Sequence, residues 1–302
     1  TSESDCVGGV VGYLYTSGIM AGKDTGKYYM LYNVSTSSKL TNATHCGSIE
    51  GLSCVGGIIG KSQIGDDSQS VLNGGNISAT VSLDGCHHIG NISGNSFIGG
   101  VIGKNTHKYD YSQNSTLLSN CSSIGGINGT GSSVAGLIGG CTKASAKSNV
   151  EVSNSFAQGN IDSKGNNTGG LIGEVAGGTN SISNCYALGN INTTGQFSGG
   201  LFGTIWGVTN SIKDCYFSGA IYGTHCVGGL AGHSKSTSII SSYSNASSIN
   251  GNTQVGGIVG FLGDGSSIKS CISANEKVNA TKDEVGRIYG ATSGGATIGE
   301  MN

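Results

Sequence analysis

Six histidines, ten cysteines and 17 carboxylates are the groups in this 302-residue chain that could do acid–base, nucleophilic or metal chemistry. His45, His87, His88, His107, His225 and His233 fall in different segments. General acid–base work or metal binding needs two or three such groups to converge with a carboxylate, and no spacing here shows that. Asp66-Asp67 and Asp283-Glu284 read as solvated loop charges, since neither lies in a Gly-spaced calcium repeat. No Cys-x-x-Cys occurs, which leaves no zinc or thioredoxin-like motif. The Gly-rich stretch Gly136 to Gly140 lacks the Lys and Ser/Thr of a phosphate loop. The expectation is a protein that is not an enzyme and has no catalytic, metal or cofactor residues.

The elements that carry these residues follow from composition and periodicity. Glycine contributes 56 residues and proline none, which excludes collagen and Pro-rich linkers, both of which need the proline ring. Hydrophobic residues make up 36%, in short runs that suit a narrow core of many thin layers. Charged residues are 11%, the formal net charge is −2 and Arg287 is the one arginine. No basic stripe is available to neutralise phosphates, so nucleic acid is not an expected partner. No apolar run approaches the roughly 20 residues of a membrane helix, so no membrane span is expected.

A Gly-Gly-aliphatic-aliphatic-Gly signature recurs nine times: Gly8 to Gly12, Gly56 to Gly60, Gly99 to Gly103, Ala135 to Gly139, Gly169 to Gly173, Gly199 to Gly203, Gly228 to Gly232, Gly256 to Gly260, and a worn copy from Gly286 to Gly290. The final glycines are 48, 43, 36, 34, 30, 29, 28 and 30 residues apart. A second landmark, a Cys-Tyr-like pair followed by Gly-x-Ile, travels with the first. It falls on Cys46, Cys86, Cys121, Cys185, Cys215 and Cys271, with Ser155 and Ser242 in place of sulfur. From landmark to next final glycine the count is 14, 17, 18, 18, 18, 17, 18 and 19, while the other half shrinks from 34 to about 11. Layers must match where their backbones pair and can differ only where a loop leaves the stack. The expectation is an all-β chain: a β-solenoid of about nine stacked coils, with insertions at one corner that shorten from N- to C-terminus. Residues 1–302 are expected to form one repeat domain, a segment of a longer or polymeric assembly. Val, Ile, Tyr and Thr enrichment with Gly and Asn at bends is strand-and-turn chemistry.

The Gly-Gly-Leu-Ile-Gly signature with its upstream Cys-Tyr-x-x-Gly-x-Ile resembles the GLUG-motif repeat of large secreted and surface proteins, including bacterial immunoglobulin A peptidases and adhesin-like proteins. The resemblance runs from Gly8 to Gly290. It implies a β-solenoid scaffold in an extracellular protein and does not imply peptidase activity, because in those proteases the repeats are accessory. Ala135, Arg287, Tyr289 and the long early insertions depart from the pattern.

Ten cysteines are many for a cytosolic chain and point to an oxidising compartment. The landmark cysteines read either as a buried ladder of thiols or as disulfides between adjacent layers. Cys6 and Cys54 share a position before the Gly-Gly pair and are a candidate bridge. Eleven Asn-x-Ser/Thr sequons are candidate glycosylation sites: Asn33, Asn42, Asn76, Asn91, Asn114, Asn120, Asn128, Asn166, Asn192, Asn245 and Asn279. Tyr13, Tyr15, Tyr28, Tyr29 and Tyr32 in the first insertion form a candidate interaction patch for protein or sugar, or pack back on the stack. The expected function is structural or adhesive and extracellular, as a head-to-tail filament or as the stalk of a larger surface protein. Its expected partners are copies of itself, flanking modules and glycans. The alternative is a carbohydrate-binding or carbohydrate-cleaving β-helix; an accessory repeat of a protease is a third reading.

Overall fold

The computed structural model describes residues 6–16, 34–64, 77–107, 112–143 and 147–300. Every regular element among them is a β-strand, and the chain winds as a β-solenoid. One coil shows the plan. Ile172–Ala176 and Thr179–Ser183 form one side. After a corner at Asn184, Tyr186–Leu188, Ile191–Thr193 and Ser198–Gly199 form the other, and Gly200 leads into the next coil. These are the first to fifth strands of a coil below. First and second strands of successive coils make a 16-stranded sheet; third, fourth and fifth strands make a 21-stranded one. Pairing is parallel, and Ile172 lies between Ile138 of the coil before and Phe202 of the coil after.

The register explains the sequence period, because like residues stack in columns. The second strands stack Leu40, Leu83, Leu118, Val152, Ile182, Ile212, Ile239, Ile268 and Ile298. The fourth strands stack Ile49, Ile92, Ile127, Ile161, Ile191 and Ile221, the isoleucines of the Gly-x-Ile motif, and then Ile249 and Val278, where the glycine is replaced. Both members of the aliphatic pair are fully buried from Ile58-Ile59 to Ile258-Val259. The chain bends between them, and one carbonyl of the next coil serves both amides: Leu171 N–H and Ile172 N–H donate to Leu201 O, each at 2.9 Å.

Two columns explain the motif residues that are not aliphatic. At the corner before the third strand, Asn42, Gly85, Asn120, Asn154, Asn184, Asp214, Ser241 and Ser270 hold φ between 48° and 62°. This left-handed region is costly for most L-residues and cheapest for Gly, Asn and Asp. The second glycine of the signature answers to contact instead. A Cβ on Gly170 would lie 2.0 Å from the carbonyl oxygen of Gly200 in the next coil and 2.6 Å from the Cβ of Ala187. The same contact, at 2.0 to 2.4 Å, recurs in every coil from Gly9 to Gly257. Ala135 replaces a first glycine and is fully buried.

The landmark series needs one correction. Cys46 pairs with Ile89, and Ala43 stands above Cys86, since His87 N–H donates to Ala43 O as Ser122 N–H does to Cys86 O. The column therefore reads Ala43, Cys86, Cys121, Ser155, Cys185, Cys215, Ser242 and Cys271. Its distance from Ala43 to Gly60 is 17 residues, in line with the other coils, where Cys46 gave an aberrant 14. Asp283 and Glu284, expected in a loop, lie in strand Val278–Gly286, with Glu284 at φ 61°.

Segments 17–33, 65–76, 108–111 and 144–146, outside the described residues, each connect a first strand to a second. At the two ends of the described stack the outermost strands have one strand neighbour: Val11–Thr16 pairs with Ile59–Ile64, and Tyr289–Thr292 with Val259–Leu262. Core positions open to solvent there. Val10 is 45% exposed where Ile58 is 0%, and Val285 reaches 53% where Val255 is 0%.

Candidate functional site

The histidines do not come together as a catalytic group. His88 is fully buried and stacks on His45 of the preceding coil, ring centroids 5.2 Å apart, with the two Nδ1 atoms 3.1 Å apart. His88 Nε2 lies 3.1 Å from Gly90 O, which fixes the proton on Nε2 and makes Nδ1 the acceptor from His45. His87 meets Ser122, His225 meets Thr253, and His233 stacks on Phe261. His107 is buried in a polar network with Asn105 and Thr116, at 3.2 and 2.7 Å. Among the described residues no three His, Cys, Asp or Glu side chains are placed to hold a metal ion.

The His45–His88 pair has a pH consequence. Burial, and then the charge of His45, hold His88 below the usual imidazole range, with the Gly90 carbonyl opposing. The folded pKa is depressed, so this stabilisation is complete above about pH 6.5, the unfolded value, and is lost as pH falls toward the folded one. Equilibrium unfolding followed between pH 7.5 and 5 should lose at most about 1.4 kcal/mol per pH unit from this site. His88→Ser, which installs the residue found at the equivalent Ser123, should flatten that slope; an unchanged slope would rule the site out.

The Cys/Ser column is built to satisfy a corner. Cys185 Sγ donates to Ser183 O at 3.1 Å, Cys215 to Lys213 O at 3.1 Å and Cys271 to Lys269 O at 3.3 Å. Ser155 Oγ donates to Ser153 O at 2.7 Å and Ser242 Oγ to Ile240 O at 2.9 Å. Every Cys and Ser of the column reaches back two residues across the left-handed corner, so thiol and hydroxyl are interchangeable there, and only Ala43 in the first coil lacks the donor. The neighbouring thiol's hydrogen bond, and then burial, push Cys121 and Cys215 up; burial pushes Cys271 up and Cys226 to about 12. The same thiol–thiol hydrogen bonds draw the partners Cys86 and Cys185 down. Cys185→Ser should change stability by under about 1 kcal/mol, whereas Cys185→Val, which has no donor for the Ser183 carbonyl, should cost about 1–3 kcal/mol in denaturant unfolding. Equal costs for the two would contradict the capping role.

Cys6 and Cys54 stand in register on the first two coils, as the pairing of Val7 with Val55 requires. The position is again a corner. Cys54, Phe97, Ser133, Asn167, Phe197, Cys226, Gln254 and Glu284 all hold φ between 51° and 62° there.

Of the sequons, Asn33 and Asn76 lie outside the described residues. Asn114 points inward at 1% exposure, where a glycan has no room. The remaining eight, Asn42, Asn91, Asn120, Asn128, Asn166, Asn192, Asn245 and Asn279, are exposed. Asn91 Oδ1 accepts from Gly126 N–H at 2.8 Å and Asn166 Oδ1 from Gln196 N–H at 2.9 Å, so at both the amide nitrogen that would carry a sugar is turned from the stack. Asn120 and Asn192 instead donate through Nδ2 to Asp84 and Asp162.

Tyr13 and Tyr15 are not in an insertion. They lie in strand Val11–Thr16, exposed at 48% and 44%, with Lys61 Nζ 5.1 Å from the Tyr13 ring centre. Tyr28, Tyr29 and Tyr32 lie outside the described residues. Sequence reasoning missed a larger aromatic feature. Phe156, Tyr186, Tyr216 and Tyr243 stack face to face on the outside of the third strands, centroids 4.9 Å apart at each step. The signal was in the sequence: each aromatic directly follows a column residue, and the three intervals are 30, 30 and 27. Their faces are covered by one another, leaving their edges to solvent.

Inside the stack, a gap of about 10 Å³ lined by Ser123, Ala157, Ala187, Ile161, Ile191 and Phe217 has room for about one water molecule. Fold and side chains together define a stack of repeated coils around a mostly aliphatic interior that also holds buried polar groups such as Asn105, His107 and Asn210. Comparison with protein-family models, with curated proteins and with solved structures finds nothing that matches this chain. No helix among the described residues is long and apolar enough to cross a membrane.

Proposed function

We propose that the chain is a structural module of an extracellular or cell-surface protein, a solenoid of the GLUG-motif type that serves as stalk or spacer and meets partners through its outward columns. The observation that carries this reading is how the interior is used. Coil after coil fills it with aliphatic columns, corner caps and glycine contacts, and the titratable groups it holds are spent on hydrogen bonds within the stack. An outward surface of Asn, Ser and Thr, eight of whose sequons are exposed, supports an extracellular setting in which Asn91 and Asn166 carry glycans. Exposed core positions at both end coils support docking of flanking modules there.

An antibody against the folded chain, applied to intact and to permeabilised source cells, tests the setting. Labelling of intact cells, or recovery from the medium, is expected; labelling only after permeabilisation would overturn it. One observation favours a second reading, sugar binding: Tyr13 and Tyr15 are neighbouring exposed rings, centroids 6.4 Å apart, on one strand. A glycan array compared with the Tyr13→Ala/Tyr15→Ala double variant decides it, and signal lost in the variant would favour that reading.

A further inference from the structure

The end coils expose core positions in matching columns, so a second copy of this chain is the obvious occupant of either end. Val285 continues the column that begins at Val7 and Val55, and Ile298 continues that of Leu40 and Leu83. One residue breaks the match. In every coil from Gly9 to Gly257 the second glycine of the signature aims its missing Cβ at the next coil, 2.0 to 2.4 Å from that coil's carbonyl oxygen. In the last coil this position is Arg287, and Gly257 makes the usual contact with the Arg287 carbonyl, at 2.0 Å. The Arg287 side chain therefore leaves the stack through the site that the backbone of one more coil would need.

The arginine is also tied down. Its Nη1 donates to Asn275 O at 2.6 Å, and its own carbonyl accepts from Ser273 Oγ at 2.6 Å. Asn275, 3% exposed, closes the interior beneath it. Its Nδ2 donates to Gly257 O at 2.8 Å, and its Oδ1 accepts from Ser244 Oγ at 2.7 Å and Ala246 N–H at 2.8 Å. The aliphatic columns run on through this last described coil to Val278, Val285 and Ile298, and the Arg287–Asn275 pair adds a polar, charge-tipped corner beside them.

We infer that Arg287 is a stop residue: it closes the C-terminal face of the solenoid to in-register stacking by a second copy, so that end-to-end filaments cannot grow through that face. Heterologous end-to-end contacts that do not close give open filaments, and solenoids avoid this by capping an end. The inference rests on the stacked-coil fold, and holds whether the chain is a stalk or a sugar binder.

Sedimentation velocity of the full chain over a hundredfold concentration range tests it. The natural chain and Arg287→Ala should both keep the single-chain mass, since the alanine Cβ alone occupies the carbonyl site. Arg287→Gly should associate to at least about twice that mass as concentration rises. End-to-end association of the natural chain, or an Arg287→Gly protein that sediments like it, would overturn the inference. A second variant moves the stop one coil inward. Gly257→Arg should raise amide exchange of Tyr289–Thr292 by at least about 100-fold while Ala231–Ile240 stays protected; retained protection of Tyr289–Thr292 would equally overturn it.

Discussion

Gly170→Ala should destabilise the protein by about 3 kcal/mol or more in denaturant unfolding, the upper end of what overpacking costs. The added methyl carbon meets the Gly200 carbonyl at 2.0 Å and the Ala187 methyl at 2.6 Å. A flexible side chain could swing away from such a contact. Here the obstacle is backbone, held by the hydrogen bond from Gly200 N–H to Gly228 O in the coil beyond, so relief requires prising two coils apart. The first glycine is as crowded within its own coil, where a Cβ on Gly169 would lie 2.1 Å from the Ile172 carbonyl oxygen, and the coil with Ala135 is the one that carries a methyl there. A loss under about 0.5 kcal/mol, typical of a surface change, would mean that the coils are not in the close contact described.

Asn210→Ala should cost about 2–4 kcal/mol, because a fully buried amide is serving several partners at once. Asn210 Oδ1 accepts from Asn180 Nδ2 at 2.6 Å, and its own Nδ2 lies 3.0 Å from Lys235 O, 3.2 Å from Ser236 O and 3.2 Å from Thr237 Oγ1. Ser236 stands at φ 50°, so the amide also pins a left-handed bend between first and second strands. Removing the side chain also takes from the Asn180 amide its 2.6 Å acceptor, leaving it the Gly177 carbonyl at 3.2 Å. The column carries Val81 and Val150 in earlier coils, so the Asn180→Val/Asn210→Val double variant should lose less than the sum of the two singles, by at least about 0.5 kcal/mol. Strict additivity would show that the two amides act independently.

The fold was legible in the sequence because a parallel stack repeats its constraints. Ile49, Ile92 and Ile127 recur for the same reason that Gly57, Gly100 and Gly136 do: each must fit against its own equivalent. The constant half of the period marked the three strands from the corner to the Gly-Gly pair. Its single outlier marked the error that placed Cys46 in a column belonging to Ala43. Composition at the corners was equally readable in principle, since a column of Asn, Gly, Asp and Ser is what a left-handed bend selects.

The candidate sites were less legible, for a physical reason. Sequence distance says which residues share a column but not whether that column faces in or out. Asn114 matches a sequon as well as Asn91 does, yet alternation along Ser112–Ser119 turns it into the core. Tyr13 and Tyr15 looked like loop residues because the insertion begins directly after them. The Phe156 to Tyr243 ladder is spread over four coils at about 30-residue intervals, so no local window reveals it. Arg287 looked like wear in the last repeat; only the direction of the absent Cβ atoms in the eight glycines before it gives the substitution a role.

A stack of interchangeable coils tolerates the loss of a whole coil but not of half of one. Removing Glu174–Gly203, one 30-residue coil, joins Gly173 to Thr204 and leaves every column in register, because Ile172 pairs with Phe202 and Glu174 with Thr204. Denaturant unfolding of this shortened chain should remain a single cooperative transition, with a denaturant slope lower by about one tenth in proportion to the surface lost. Removing only Glu174–Leu188 should abolish the transition, since it joins a first strand to a fourth. If the whole-coil deletion unfolds as completely as the half-coil one, the coils are not interchangeable.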